Sequence, residues 1–327
     1  MLIDNHGRPV NYLRLAVTDR CNLRCLYCMP ADGLDWVPRA DLLSFEEIMR
    51  LLRVASSLGV TKLRLTGGEP FLRKDLMTLI RDIHDEQLFS HVTLTTNGTL
   101  TLPHVKELRQ HGIHSVNLSA DTFHAERFLR MTRRAELQPV LDTFHALLEN
   151  GMDVKVNAVI MEGKNEEDLR EMAALTLTYP VSVRFIEEMP FNGAGDSHAI
   201  KWNWKAMRDE LARHFPGFEK VADEPHSTSL NYRISGASGS VGIIPAYTRS
   251  FCGSCNRIRI TPQGTLKTCL YDHGVRDLRG LIRSGADDEA IADAIRDAVA
   301  RRPADGRAAE LQRKQFPVAE SMATIGG

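Results

Sequence analysis

No uninterrupted apolar run in this chain approaches the roughly 20 residues that a membrane span requires. Its start, Met1–Val10, is charged and lacks the apolar core of a signal peptide. These absences lead us to expect a cytoplasmic protein without a membrane partner. Aromatic residues make up only 6% of the chain and the formal net charge is −1. That excludes a global field drawing the protein to nucleic acid or an anionic surface, so any basic ligand site has to be local. Cysteine is missing outside two short stretches, holding positions 21, 25, 28 and 252, 255, 269. Two tight threes are a poor disulfide framework for a chain of 327 residues and point instead to metal or redox chemistry. What remains is an ordinary globular composition, 43% hydrophobic and 25% charged, long enough for one barrel-sized domain or two smaller ones.

Across the first 190 residues, β-rich apolar stretches alternate with helical patterns. Strands are expected at 12–18, 61–66, 91–96, 114–119, 153–160 and 181–187, with helices at 44–58, 73–84, 102–110, 137–150 and 165–176. Ser44 followed by Glu47 predicts a capping box. Repeated βα units imply a parallel sheet with right-handed crossovers. Six units fall short of a full eight-strand barrel, so an incomplete one is expected over 1–190. A second module, 191–327, begins with the Gly-rich 191–198 segment and a helix at 202–214. It continues with short strands at 241–244, 257–261 and 265–268, then helices from Asp277 onward. Blandly read, the Gly326-Gly327 end is a frayed terminus.

Cys21, Cys25 and Cys28 have C-x3-C-x2-C spacing and follow the first strand directly, where α/β folds place active sites. Three thiolates leave one iron of a four-iron cluster open; zinc, the alternative, finds no nearby fourth ligand. With Tyr27 before the third cysteine, the pattern resembles the signature of the radical S-adenosylmethionine (SAM) superfamily. The resemblance implies a cluster whose open iron chelates SAM and cleaves it to a 5′-deoxyadenosyl radical. Thr66-Gly67-Gly68-Glu69-Pro70, after the second strand, is similar to the superfamily's motif for the methionyl amine. By the same resemblance Tyr27, Gly68, Ser119 and Met189 match SAM-contacting positions, Met189 through its backbone.

Cys252, Cys255 and Cys269 form C-x2-C-x13-C, and His273 could complete a Cys3His zinc site. Together with the neighbouring Arg257 and Arg259 and the Gly-Gly end, this module resembles the molybdenum-cofactor biosynthesis protein A family, the GTP 3′,8-cyclases. That likeness implies a lyase with a second four-iron, four-sulfur cluster binding guanine. It also implies an electron donor, a product passed to protein C of the pathway, and compatibility with a homodimer. The runner-up is another radical SAM enzyme with an auxiliary cluster, such as a peptide-modifying maturase.

Single cations stand between apolar neighbours inside the expected strands: Arg14, Arg64, Lys155 and Arg184, with Lys62 sharing a face with Arg64. Charged strand residues are costly to bury unless they face a wet lumen, and few acidic residues lie in these strands to pair with them. A triphosphate site follows. The resemblance matches Arg14, Arg64, Thr95, Lys155, Arg257 and Arg259 to substrate contacts, with Arg14, Arg257 and Arg259 as the catalytic set. It makes the Gly-Gly tail a segment reaching the site.

Overall fold

The computed structural model describes residues 1–189, 200–315 (side chains through 311) and 321–325. The segment expected at 191–198 and the terminal glycines lie outside the described residues.

In the first part of the chain, strands β1 (Tyr12–Ala16), β2 (Lys62–Thr66), β3 (His91–Thr96), β4 (Ile113–Ser119), β5 (Asp153–Ile160) and β6 (Ser182–Glu187) lie side by side in chain order, all parallel. Helices α1 (Phe45–Ser57), α2 (Leu76–Glu86), α3 (Val105–Gln110), α4 (Ala125–Thr132), α5 (Leu137–Glu149) and α6 (Asp168–Thr178) supply the crossovers. Alternation explains how the strands divide their faces. Leu13, Leu15, Leu63, Leu65, Val116, Leu118, Val154, Val156, Val183 and Phe185 are fully buried in the core under the helices. The intervening residues Arg14, Arg64, Asn117, Lys155, Asn157 and Arg184 face a cavity on the other side. The expected capping box opens α1: the Glu47 backbone N–H donates to Ser44 Oγ at 3.1 Å, and the Ser44 N–H donates to Glu47 Oε2 at 2.8 Å.

Later residues extend the same sheet. After α7 (Trp204–His214) come β7 (Glu219–Lys220), β8 (Leu230–Arg233), β9 (Ser240–Ile244), β10 (Arg257–Ile260), β11 (Thr265–Lys267) and β12 (Arg276–Asp277). β9 pairs parallel to β6 and β10 parallel to β1, lengthening the parallel run at both edges. Antiparallel pairings β9–β8–β7 and β10–β11–β12 finish the two sides. The final elements are α8 (Leu278–Arg283), α9 (Asp288–Ala300), α10 (Gly306–Gln315) and α11 (Met322–Ile325). Among the described residues, no helix is long and apolar enough to cross a membrane.

Candidate functional site

The first cysteine triplet sits in the loop leaving β1, and the turn after β2 packs directly against that loop. Gly68 N–H donates to Thr18 O at 2.8 Å and Glu69 N–H to Arg20 O at 2.7 Å. A Cβ on Gly68 would lie 2.2 Å from Arg20 O, so only glycine permits this approach. Glu69 is fully buried and its carboxylate accepts from Phe71 N–H (3.2 Å), Thr96 Oγ1 (2.8 Å) and Asn97 N–H (2.8 Å). Its side chain therefore ties the turn to the end of β3. Burial holds the Glu69 carboxyl up at about 7 despite those donors. Asn97 in turn donates to Asn22 Oδ1 at 3.0 Å and lies 3.7 Å from Cys21 Sγ. Burial pushes the Cys21 thiol up, Cys28 up to about 12 and Cys25 well above the ordinary range. Thiols so disfavoured as anions suit a positive metal group that displaces their protons.

The second triplet is assembled from a turn at Cys252–Ser254 just before β10 and from Cys269 just after β11. Asp272 organises the second half: Oδ2 accepts from Thr268 N–H (2.7 Å), Thr268 Oγ1 (3.0 Å) and Cys269 N–H (2.8 Å), while Oδ1 accepts from Gly274 N–H (3.0 Å). The first half is gripped by two buried arginines. Arg302 donates to Cys255 O (2.8 Å), Cys255 Sγ (3.0 Å) and Arg257 O (3.0 Å). Arg8 donates to Cys252 O (3.0 Å), Pro303 O (2.8 Å) and Ala304 O (2.5 Å), and pairs with Asp4 at 2.6 Å. Burial raises the Cys252 thiol and brings Cys269 up to about 11. Burial would raise Cys255 too, but Arg257 and Arg302 outweigh it and bring that thiol down to about 6.

Both triplets open onto one cavity of about 920 Å³, whose wall includes all six cysteines. Strand register lays the cations between them in two rungs. Arg259, Arg14, Arg64 and Thr93 stand side by side across β10, β1, β2 and β3; Arg257, Tyr12, Lys62 and His91 form the adjacent rung. Thr95, Lys155 and Arg184 continue the cavity lining. Nε of Arg14, Arg64 and Arg184 is buried without a hydrogen-bond partner. Burial lowers all three guanidinium groups, Arg14 to about 10, and lowers Arg259 to about 9. Clustered cations around a cavity are poised for a polyanion.

Lys155 corrects the expectation that the strand cations lack counter-charges. It pairs with Asp153 of the same strand and donates to Ser115 Oγ at 2.8 Å. The other positions singled out in the sequence, Tyr27, Gly68, Ser119 and Met189, also line the cavity, Met189 packing with Tyr271 and Cys269. Tyr27 hydroxyl donates to Asp121 Oδ1 at 3.4 Å, and Met189 Sδ accepts from the Tyr271 hydroxyl at 3.2 Å. Sequence reasoning missed Tyr12, Asn97, Asp121, Asp272 and Arg302, as well as any structural role for Arg8. Only Asp272, three residues beyond Cys269, carried a local signal, that of a short polar residue positioned to cap a turn. His273 does not join the cysteines: among the described residues no three His, Cys, Asp or Glu side chains converge on a single-ion site.

Residues 15–176 match the Radical SAM superfamily, and residues 181–307 match Molybdenum Cofactor Synthesis C. The chain is 39% identical over 329 residues to the GTP 3′,8-cyclase of Geobacter sulfurreducens, covering 100% of this chain and 99% of that one. It is 41% identical over 308 residues to the mouse molybdenum cofactor biosynthesis protein 1, covering 92% of this chain but 48% of the relative. The chain thus spans about half the length of its mammalian relatives. Streptococcus suis SuiB, whose crystal structure has S-adenosylmethionine bound, shares the fold with a TM-score of 0.61 and 16% identity, covering 88% of this chain and 68% of SuiB.

Proposed function

This chain belongs to the GTP 3′,8-cyclase family of radical SAM proteins, and from that premise we propose that it cyclises GTP to 3′,8-cyclo-7,8-dihydro-GTP early in molybdenum cofactor biosynthesis. The observation that carries this reading is the continuity of the cavity, which joins both cysteine triplets along a cation-lined wall.

In this reading Cys21, Cys25 and Cys28 hold the SAM cluster, with Gly68, Ser119, Tyr27 and the Met189 backbone around SAM. Bound there, SAM supplies the radical that removes a ribose hydrogen. Cys252, Cys255 and Cys269 hold a second cluster. Among the described residues no three His, Cys, Asp or Glu side chains converge on a single-ion site, which favours a polynuclear group over a single zinc ion. Arg14, Lys62, Arg64, Thr95, Lys155 and Arg184 hold the triphosphate, fixing the ribose relative to SAM. Arg257 and Arg259 sit beside the second triplet, where planar guanidinium forks can orient the base. A low-potential electron donor and transfer of the product to protein C complete the proposed context.

The test is nucleotide dependence. Anaerobic protein with SAM and reductant should form 5′-deoxyadenosine faster with GTP than with ATP or a peptide, and should contain about eight iron and eight sulfide per chain. A cluster-replete sample indifferent to GTP would overturn the cyclase reading; stoichiometric zinc with about four iron would remove the second cluster.

A further inference from the structure

One residue in the middle of the cationic wall has no part in the binding roles above. Tyr12 lies on β1 between Lys62 of β2 and Arg257 of β10. Its ring meets three cations: Lys62 Nζ at 5.0 Å, the Arg64 guanidinium at 5.5 Å and the Arg14 guanidinium at 5.8 Å from the centroid. Strand pairing brings these cations to the ring, whose negative face favours them. The side chain borders the cavity, and its buried hydroxyl lies against the Arg14 guanidinium without a well-formed hydrogen bond. A buried hydroxyl beside buried guanidinium groups with idle N–H donors leaves polar atoms for a ligand to satisfy.

We propose that Tyr12 is a further substrate-binding residue: as a neutral phenol it donates its hydroxyl to an oxygen of the bound polyphosphate, and as a phenolate it engages the same cations and repels that polyphosphate. The proposal rests on reading this cavity as a nucleoside triphosphate site. Within the two rungs on β10, β1, β2 and β3, Tyr12 is the side chain that can turn negative; its neighbours there are Arg257, Arg259, Arg14, Lys62, Arg64 and His91. From farther around the wall come Arg184 on β6, Lys155 paired with Asp153 on β5, and Glu224 and His226 of the loop before β8. Burial pushes the phenol up, but Arg64, Arg14, Lys62 and Arg257 outweigh it and bring it down to about 8. Below that pH the phenol is a donor. Above it, a negative charge offsets one cation and the donor is lost, so polyanion affinity falls. By linkage, a bound polyphosphate drives the phenol back toward its neutral form.

Binding to the anaerobic holoenzyme can be measured by calorimetry from pH 7 to pH 9, with inorganic tripolyphosphate and with GTP as probes. Wild type should weaken about tenfold over that range for both ligands, the loss expected for one proton at a site titrating near 8. Tyr12→Phe keeps the ring and loses the hydroxyl; it should bind more weakly at pH 7 and lose most of the pH slope. Lys62→Met leaves Tyr12 in place but removes one of the cations that stabilise its phenolate, so the slope should move to higher pH. An unchanged slope in Tyr12→Phe would assign the titration to another group of the wall and overturn the proposal, as would an unmoved slope in Lys62→Met. If tripolyphosphate behaves as expected while GTP binds no better than ATP, Tyr12 keeps its role and the guanine reading fails. GTP selectivity without a Tyr12-dependent slope removes Tyr12 alone.

Discussion

At the scale of single residues, close contact decides what can be replaced. The Gly68 position admits no Cβ without pushing the Arg20 carbonyl away, and that carbonyl belongs to the residue just before Cys21. Gly68→Ala should therefore displace the cysteine loop and lower SAM affinity at least tenfold, measured by equilibrium binding to the reconstituted protein. Arg259→Ala should leave SAM cleavage capacity in place while abolishing the cyclised product, because Arg259 lies in the rung beside the second triplet. Full cyclase activity in that variant would reject its assigned role. The strand cations were legible in the sequence because an isolated Arg or Lys between Leu or Val neighbours contradicts a buried strand unless it faces a lumen. Tyr12 was not, since tyrosine is an ordinary strand former and its three cations become neighbours only through pairing. Arg302 was invisible for a similar reason: its partners Cys255 and Arg257 lie 47 and 45 residues away in sequence.

At the scale of elements, the caps show which local signals suffice. Ser44 and Glu47 close the start of α1 reciprocally, and Glu47 also pairs with Arg283 of α8 at 2.7 Å. Ser44→Ala should cost about 1 kcal/mol and lower the melting temperature by about 2 °C, with activity unchanged, as followed by calorimetry and product assay. Strands β1 to β6 were readable within one or two residues because apolar alternation is written locally. Helix α4 was missed: its sequence is crowded with charge, and its stability draws on Arg127, which meets Asp168 at 2.9 Å and also pairs with Glu167 and Glu171 from α6 and the residue before it. The two-residue strands β7 and β12 carry too little pattern to announce themselves. Nor could periodicity reveal that β9 and β10 join the first six strands, because parallel pairing depends on a distant partner.

At the scale of the molecule, the second cysteine triplet is held by both ends of the described chain. Asp4 and Arg8 come from the beginning, Arg302 from near the end, and Asp4 lies 3.4 Å from Arg302. Arg8→Ala removes the nearer of the two arginine partners of the buried Asp4 carboxylate and three carbonyl contacts at once, a loss of about 2–3 kcal/mol. Iron should fall from about eight to about four per chain, while SAM cleavage at the first triplet persists; retention of all the iron would show that the latch is dispensable. The family matches divide near residue 180, yet the sheet crosses that division without interruption, from β6 to β9 and from β1 to β10.

The β1–β10 pairing also sets a timetable. As the chain emerges from the ribosome, β1 can find β2 early, but its other edge has no strand to meet until Arg257–Ile260 has been made. During that interval one flank of the nascent sheet is a bare template for wrong partners. The Cys252 turn waits for Arg302, and the Cys21 loop waits longer still, for Ser321, whose hydroxyl donates to the Cys28 carbonyl at 2.5 Å. Both cysteine turns are therefore completed only by the last part of the described chain.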